Sequence, residues 1–504
     1  SATRRMTPSR TMSHIDWIIF HNLMNLQTML TPRITKLLGI AVIALLWAGC
    51  VPSIKQKTEN KNVPNAYKAP GDTVNAAKVQ WRDFFADPNL QVLIDTALRN
   101  NQELNIMIQE IQVAQAEVRA RKGAYLPFIN LGAQAGVEKT PRYTRNGAVD
   151  ANTEIDTGKE FPEPLPDYMI GANISWEVDI WKKLRNAKKS AVYRYLSTQE
   201  GRNFMVTRLI AEIAASYYEL MALDNQLMFL RQNIKIQQNA LEIVRLEKQA
   251  ARVTELAVRR FEAEVLKNQS RQFYIMQQIT ETTNRINFLT GRFPRDIPRN
   301  SQGFLDLPLD SVHAGVPTQL LENRPDVRQA ELVLLANKLD VKVAKANFYP
   351  TLNITGVVGL EAFSPSYLFG KSGSAMYYLG AGFFGPLVNR NAIKAAYYTA
   401  NARQTQAVYD YERTILNAYI EVANQVSNIN NMNKSYERKT KQVAALTESI
   451  DISTRLFRNA RADYMEVLLT QRDALESRFD LVETKMQQMH ARINIYQALG
   501  GGWR

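Results

Sequence analysis

The chain holds a single cysteine, Cys50, in 504 residues, so no disulfide can form within it. Histidine is nearly as scarce, at four residues. His14 and His21 lie close together near the start, while His313 and His490 stand alone, so no metal-ligand spacing or His-based catalytic pair arises. No P-loop or nucleophile elbow appears. The chain therefore reads as a non-enzyme, with no catalytic residue and no metal site. Met107, Met205, Met221 and Met486 read as packing rather than as metal ligands. No apolar run approaches the ~20 residues that a membrane-spanning helix needs. Segregated charge is lacking too. The net charge is +14, but acids interrupt the bases along the sequence. That is the pattern of solvated helix faces and argues against a nucleic-acid partner.

The longest absence organises the rest. From Leu387 to Leu499 the chain runs 113 residues without a proline or a glycine, the two residues that most often break helices. Small and apolar residues recur there in steps of three and four: Ile393, Ala396, Ala400, Ala407, Tyr411, Ile415, Ala418 and Val422. One helix from Asn389 to Phe457 would be roughly 100 Å long, too long for an ordinary globular core. A second long helical stretch is expected from Lys182 to Ala250, broken only by Gly201. Shorter helices follow each, Thr254 to Leu289 and Asp463 to Leu499, with a loop carrying four prolines from Gly291 to Pro317.

Before Cys50 come Arg33 and Lys36, the apolar run Leu37 to Leu46, and Trp47-Ala48-Gly49. A short basic segment, a short apolar run and small residues describe a secretory signal peptide. Ala48-Gly49-Cys50 resembles a lipobox, in which the cysteine is acylated. Residues 1–49 are read as an upstream segment plus this signal, and residues 50–80, with Pro52, Pro64 and Pro70, as a lipid-anchored tether. No cofactor is expected beyond the covalent lipid on Cys50.

Further on, Asp87-Pro88 starts a helix with Leu90, Leu93, Ile94 and Ala97 as its buried face. After Tyr125-Leu126-Pro127 the period changes to two. Ile129, Leu131, Ala133, Ala135 and Val137 alternate with Asn130, Gly132, Gln134 and Gly136, predicting a strand over about 127–138. Alternation returns at about 168–179, 350–361 and 375–385. Gly380-Ala-Gly382-Phe-Phe-Gly385 fits a dinucleotide-binding pattern, but no second strand follows to build a βαβ unit, and strand glycines explain it better.

The chain also repeats itself. Val118, Lys122, Pro127, Asn130, Gly136 and Glu138 recur as Val341, Lys345, Pro350, Asn353, Gly359 and Glu361, an offset of 223. Arg252 through Gly291 matches Arg461 through Gly500 at an offset of 209. The unit is helix, strand, loop, strand, long helix, shorter helix, present as 81–316 and 317–504. Strands of about ten residues with one apolar face have the length of tilted membrane strands. Four of them cannot close a barrel, and open edges cannot sit in lipid, so closure requires several chains.

Several stretches together resemble the TolC-type outer-membrane efflux family, in its NodT-like lipoprotein subclass that works with resistance-nodulation-division pumps. They are Cys50 after the signal, Trp81-Arg-Asp-Phe-Phe85, Tyr125-Leu-Pro127, Ser175-Trp-Glu-Val-Asp179, Arg324-Pro-Asp326, Phe348-Tyr-Pro350, Arg461-Ala-Asp-Tyr-Met-Glu-Val467 and Ala498-Leu-Gly-Gly-Gly-Trp503. The resemblance implies a mainly α fold with membrane β. Three chains would form a twelve-stranded β-barrel and a twelve-helix α-barrel tunnel, anchored in the bacterial outer membrane and extending into the periplasm. It implies an exit duct of a tripartite efflux system that carries drugs, detergents or metal ions. The implied partners are two further copies, a periplasmic adaptor, an inner-membrane pump and outer-membrane lipid.

The ends of the long helices are then the candidate periplasmic gate, with Arg252 and Glu255 in one turn and Arg458, Arg461 and Asp463 in its counterpart. Asp463 and Glu466 have capping-box-like spacing. Family gates place an aspartate one position earlier, where this chain has Ala462. A type I protein-secretion duct and a structural or adaptor coiled-coil lipoprotein are the alternative readings; the duplicated strand pairs argue against the adaptor. If Cys50 carries the lipid, Cys50→Ser should abolish labelling by radioactive palmitate and leave the chain unanchored, as read by fractionation.

Overall fold

The structure, a computed structural model, describes residues 51–67, 76–308, 314–386, 390–459 and 461–503. The signal segment, Cys50 and His313 lie outside the described residues. Two compact units are present. The first comprises 125–183 and 341–399 with residues up to Lys55; the second comprises 56–124, 184–340 and 400–504.

The first unit contains one antiparallel sheet. Its strands are β1 (Phe128–Glu138), β2 (Leu165–Val178), β3 (Thr351–Ala362) and β4 (Ala375–Phe384), hydrogen-bonded in that order. The register keeps the apolar residues on one face. Ile129 lies opposite Ile174, Ile170 opposite Leu360, and Leu352 opposite Phe383. A shift by one residue would send each of these to the polar face. Strand β2 begins earlier than its alternation indicates, with Pro166 opposite Val137. Pairing of β2 with β3 starts only at Tyr168. At Pro166 the strand is therefore bonded on one side alone, which is where a residue without an N–H is tolerated. The loop between β1 and β2 carries a short helix, Arg145–Asp150, and a two-stranded ribbon.

The second unit is helical. Helices α1 (Pro88–Asn100) and α2 (Gln102–Gly123) come first, and the carboxylate of Asp87 caps α1 by accepting from the amides of Asn89 and Leu90. Long helix α3 (Lys183–Gln249) is followed by α4 (Glu255–Leu289), and α5 (Pro325–Ala346) by the second pair, α6 (Asn391–Arg458) and α7 (Tyr464–Ala498). The two long helices have 67 and 68 residues, about 100 Å each. The two return helices have 35 residues each. Contrary to the sequence reading, Gly201 does not interrupt α3. It makes room: a Cβ there would come within 2.9 Å of the Gln329 amide on α5.

The repeat survives at atomic resolution. The Asn101 side chain donates to the carbonyl of Leu289 at 2.9 Å, and Arg324 donates to the carbonyl of Ala498 at 2.8 Å. These pairs differ by 223 and 209 positions, the offsets of the sequence repeat. Each return helix then ends on a left-handed glycine, Gly291 or Gly500. A Cβ on Gly291 would lie 2.3 Å from the Asn100 carbonyl oxygen, and one on Gly500 would lie 2.5 Å from that of Asn323. Glycine is required at both on two counts, backbone conformation and close approach.

Arg324 is buried and holds more than a carbonyl. It forms a fork on Asp326, with Nε–Oδ1 at 3.0 Å and Nη2–Oδ2 at 2.7 Å, and reaches Glu421 at 2.6 Å. Phe84 stacks on Tyr496 with ring centroids 4.1 Å apart, and Tyr496 donates to the Val79 carbonyl. The scattered segments Trp81–Phe85, Arg324–Asp326 and Ala498–Trp503 thus border one core.

Two connecting segments are pinned rather than loose. The crossing loop is held by Arg299 and Ser301 on Asp224, by Tyr436 on the Leu305 carbonyl, and by Lys485 on the Leu307 carbonyl. The tether residues from 57 onward are extended but docked on α5 and α6. Glu59 pairs with Lys338, Lys61 with Glu331, and Tyr67 stacks on Tyr419.

Arg324→Ala would leave the buried Ala498 carbonyl without this donor and the half-buried Asp326 carboxylate without its fork. It should cost about 3 kcal/mol, read as a lower midpoint of chemical unfolding in detergent. Asn101→Ala removes two neutral bonds, the one to the Leu289 carbonyl and the capping bond from the Leu104 amide, and should cost about 2 kcal/mol by the same measurement.

Candidate functional site

Two features can act on another molecule: the sheet of the first unit and the helix ends of the second. The strands have 11, 14, 12 and 10 residues, enough to span hydrocarbon when tilted. One face carries Ile129, Leu131, Val137, Ile170, Val358, Tyr377 and Leu379, with Leu131 87% and Tyr377 88% exposed. The other carries Asn130, Gln134, Asn173, Ser175, Asn353 and Thr355. Gly132, Gly171 and Gly359 lie side by side on this polar face. A Cβ on Gly359 would lie 2.4 Å from the Ile170 carbonyl oxygen, and one on Gly171 would lie 2.8 Å from that of Val358. The backbones approach too closely there for side chains, the condition under which a sheet curls toward its glycine face. Strands β1 and β4 are the two edges, and neither has a second partner among the described residues.

At the turn between α3 and α4, Ala251 adopts φ +60°, a conformation usual for glycine. The Arg252 amide bonds to the Glu247 carbonyl, and the Ala251 amide to that of Lys248, closing the helix end. The Arg461 amide bonds to the Leu456 carbonyl in the matching turn. Beneath the first turn Leu241, Val244, Phe261 and Leu468 are buried together, with Tyr464 and Met465 of α7 against them. The start of the second return helix therefore packs on the first turn.

Of the five charges singled out in the sequence, all are exposed. The structure ties one of them into an ion network. Glu255 pairs with Lys248 and, at 2.8 Å, with Arg259; Arg259 also holds Glu262 at 2.9 Å. Arg252, Arg458, Arg461 and Asp463 make no ion pair among the described residues. Asp463 is the N-cap residue of α7, but its side chain makes no capping bond, so the capping-box spacing with Glu466 is not realised. Lys248 and Arg259 were not singled out, although the four-residue step from Glu255 to Arg259 was readable. The Lys248 ammonium and the Arg259 guanidinium hold the Glu255 carboxyl below the usual carboxylate range. His490 meets the Ala215 carbonyl at 3.1 Å, a packing contact. Among the described residues no cluster of metal-ligating side chains occurs, and no helix is long and apolar enough to cross a membrane.

Comparison with known proteins adds a family. The pattern of the outer membrane efflux protein family matches residues 93–292 and 316–501. The pyoverdine export outer membrane protein OpmQ of Pseudomonas putida is 27% identical over 426 residues, covering 84% of this chain and 88% of that protein. The cation efflux system protein CusC of Escherichia coli is 25% identical over 477 residues, covering 93% and 99%. The open state of the Neisseria gonorrhoeae MtrE outer membrane channel superposes with a TM-score of 0.78 at 22% identity, covering 90% and 98%, a likeness of fold.

The lowered carboxyl at Glu255 fixes a sign. Its pairing contributes fully above the ordinary carboxylate value of 4.5 and is lost as pH falls through the lowered value. Glu255→Gln should speed amide exchange at the Arg252 turn at pH about 7. The gap between the two proteins should close below that lowered value, as read by hydrogen exchange on both at each pH.

Proposed function

Because this chain belongs to the outer membrane efflux protein family, we propose that it is the exit duct of a tripartite efflux system, built from three copies. The protein is an outer-membrane efflux channel, and that class is one of transport rather than catalysis. The observation that carries the finer reading is the four-stranded sheet with membrane-length strands, one apolar face and two unpaired edges. Every backbone N–H and C=O in hydrocarbon needs a partner, so these edges must be closed by further strands. Three copies supply twelve, an even number within the range of outer-membrane barrels. The polar, glycine-lined face then borders the water-filled bore. Helices α3, α4, α6 and α7 of three copies form the wall of a tunnel in the periplasm.

The lipid on Cys50 anchors each copy, reinforced by the barrel itself. A periplasmic adaptor and an inner-membrane pump of the resistance-nodulation-division class complete the path. Relatives named for pyoverdine export, solvent efflux and cation efflux favour small molecules and ions over secreted proteins as cargo. Selectivity among cargoes rests mainly with the pump.

Arg252, Glu255, Arg458, Arg461 and Asp463 stand where the helices turn, and form the gate. A charge at a narrow radius is multiplied by the number of copies, and the fields add. Four of the five lack an ion-pair partner among the described residues and are open to groups from another chain. Neutralising Arg461 or Asp463 should raise single-channel conductance in planar bilayers at least about twofold, since one substitution removes a charge from every copy. Unchanged conductance in both variants would remove the gate assignment, and absence of any conductance in the parent protein would remove the duct.

A further inference from the structure

Acids and bases that alternate along the sequence are separated by ends in the sheet of the first unit. At the end where β1 leads into β2, residues 138–167 hold seven acids and four bases. The opposite end gathers the segments that enter and leave the helices. There Phe128 lies opposite Ser175, Val178 opposite Leu352, and Thr351 opposite Phe384. Its segments 125–128, 176–183, 341–352, 383–386 and 390–399 hold six bases and two acids. Both acids are occupied: Glu177 pairs with Lys183, and Asp179 is buried and engaged. Lys182, Lys342, Lys345 and Lys394 are exposed and make no ion pair among the described residues.

Aromatic rings mark the same end. Trp176, opposite Ile354, and Phe383, opposite Leu352, close the apolar face toward the helices. Just beyond, the Trp181 ring is 44% exposed, stacks on Tyr349 with centroids 4.8 Å apart, and donates to the Pro350 carbonyl at 2.7 Å. Trp176 donates to the Tyr125 carbonyl at 3.1 Å. Both indoles thus have a satisfied N–H and a ring still partly open, the arrangement favoured at a boundary between hydrocarbon and water. Phe348, after α5, meets Tyr397 of α6 with centroids 5.7 Å apart, which joins the helix ends that bear Lys345 and Lys394. Lys342 and Lys345 are three residues apart, on one face of α5.

Lys182 carries a further mark. Its φ is +59°, in the left-handed region where glycine or asparagine is the less costly choice. A lysine kept in a strained backbone, with no carboxylate of its own chain to meet, points to a use for its ammonium outside the chain. Lys182 and Lys345 adjoin β2 and β3, the two inner strands of the sheet, so a strand from another copy is not what they meet.

We propose that this end of the sheet binds the phosphate headgroups of anionic phospholipids of the phosphatidylglycerol class. The proposal rests on the duct reading above, which sets the helical end of the sheet at the periplasmic leaflet, a layer of phospholipid. Each lysine held near such a surface strengthens binding about fivefold, and the Trp176 and Trp181 rings fix the depth at which the ammonium groups meet the phosphates. The other end of the sheet, with its excess of acids, repels the same headgroups. The charge separation therefore both selects a lipid and gives the sheet a direction in the membrane.

The test places the full-length chain in phosphatidylcholine vesicles that carry a minor share of brominated phosphatidylglycerol or of brominated phosphatidylcholine, and reads quenching of tryptophan fluorescence. Half-quenching should need at least about fivefold less of the anionic lipid, and this preference should shrink as salt is raised. Lys182→Asn combined with Lys345→Gln should remove most of the preference. The midpoint of chemical unfolding of that variant in detergent should be unchanged or higher, because asparagine accepts the left-handed backbone. Lys182→Arg with Lys345→Arg should keep the preference. Equal quenching by the two lipids in the parent protein, or a preference that persists in the neutral variant, overturns the site. A neutral variant that keeps the preference and changes the ratio of anion to cation permeability would overturn it as well, by placing these lysines on the bore. Conductance of the same vesicles reads the duct separately. Conduction without a lipid preference overturns the site and leaves the duct standing; a preference without conduction supports the site and overturns the duct.

Discussion

A buried side chain that reaches the last carbonyls of a return helix is the interaction on which the helical unit depends. It is made twice, by Asn101 on Leu289 and by Arg324 on Ala498. The final carbonyls of a helix have no partner inside it, and leaving them dry is costly. Each bond satisfies one and fixes where the chain enters the next helix. Gly291 and Gly500 complete the arrangement by letting the preceding backbone press against the turn. The second instance bears a full positive charge at the negative end of a helix, a favourable placement. That charge is buried, so Asp326 and Glu421 are brought to it. The first instance is neutral and needs no such escort.

The sheet obeys a different constraint. Its register puts apolar residues on one face, and on the other its glycine row lets neighbouring backbones approach too closely for side chains. In the proposed duct the glycine row and the unpaired edges belong together, because a sheet that enters lipid has to be continued until it closes. The tips face water, and glycine serves neither turn: the first is kept by the Lys248–Glu255 pair and backbone bonds, the second, among the described residues, by backbone bonds. Ala251 in a left-handed conformation is the local cost of that choice.

Much of this was readable from residue order because membrane strands and long helices have distinct periods. The alternation at Ile129–Val137 and Leu352–Leu360 was explicit, and the scarcity of breakers gave α6 whole and α3 in all but its continuity at Gly201. Three things escaped for physical reasons. Pro166 hid the start of β2, since one-sided pairing is a property of neighbours. Gly201 looked like a break because the closeness of Gln329 is tertiary. The twofold fastening was invisible because Asn101 and Arg324 differ in type and share only a bond. At the tips, the five charges were found, but the partners of Glu255 were not, because Lys248 joins it only once the turn is formed. The motifs Trp81–Phe85, Arg324–Asp326 and Ala498–Trp503 served as family markers, and their meeting in one core could not be inferred from spacing.

Tyr496 bonds to Val79, 417 positions away, and stacks on Phe84, while Tyr67 rests on Tyr419. A chain delivered across a membrane from its first residue onward presents the early partners long before the late ones. Tyr67, Val79 and Phe84 must therefore wait for Tyr419 and Tyr496 while most of the chain emerges. Closing this core therefore requires contacts of very large sequence separation, the kind that form late in folding. The same geometry turns the last helix into a signal of completion: only with that helix in place do Val79 and Phe84 gain their partner Tyr496.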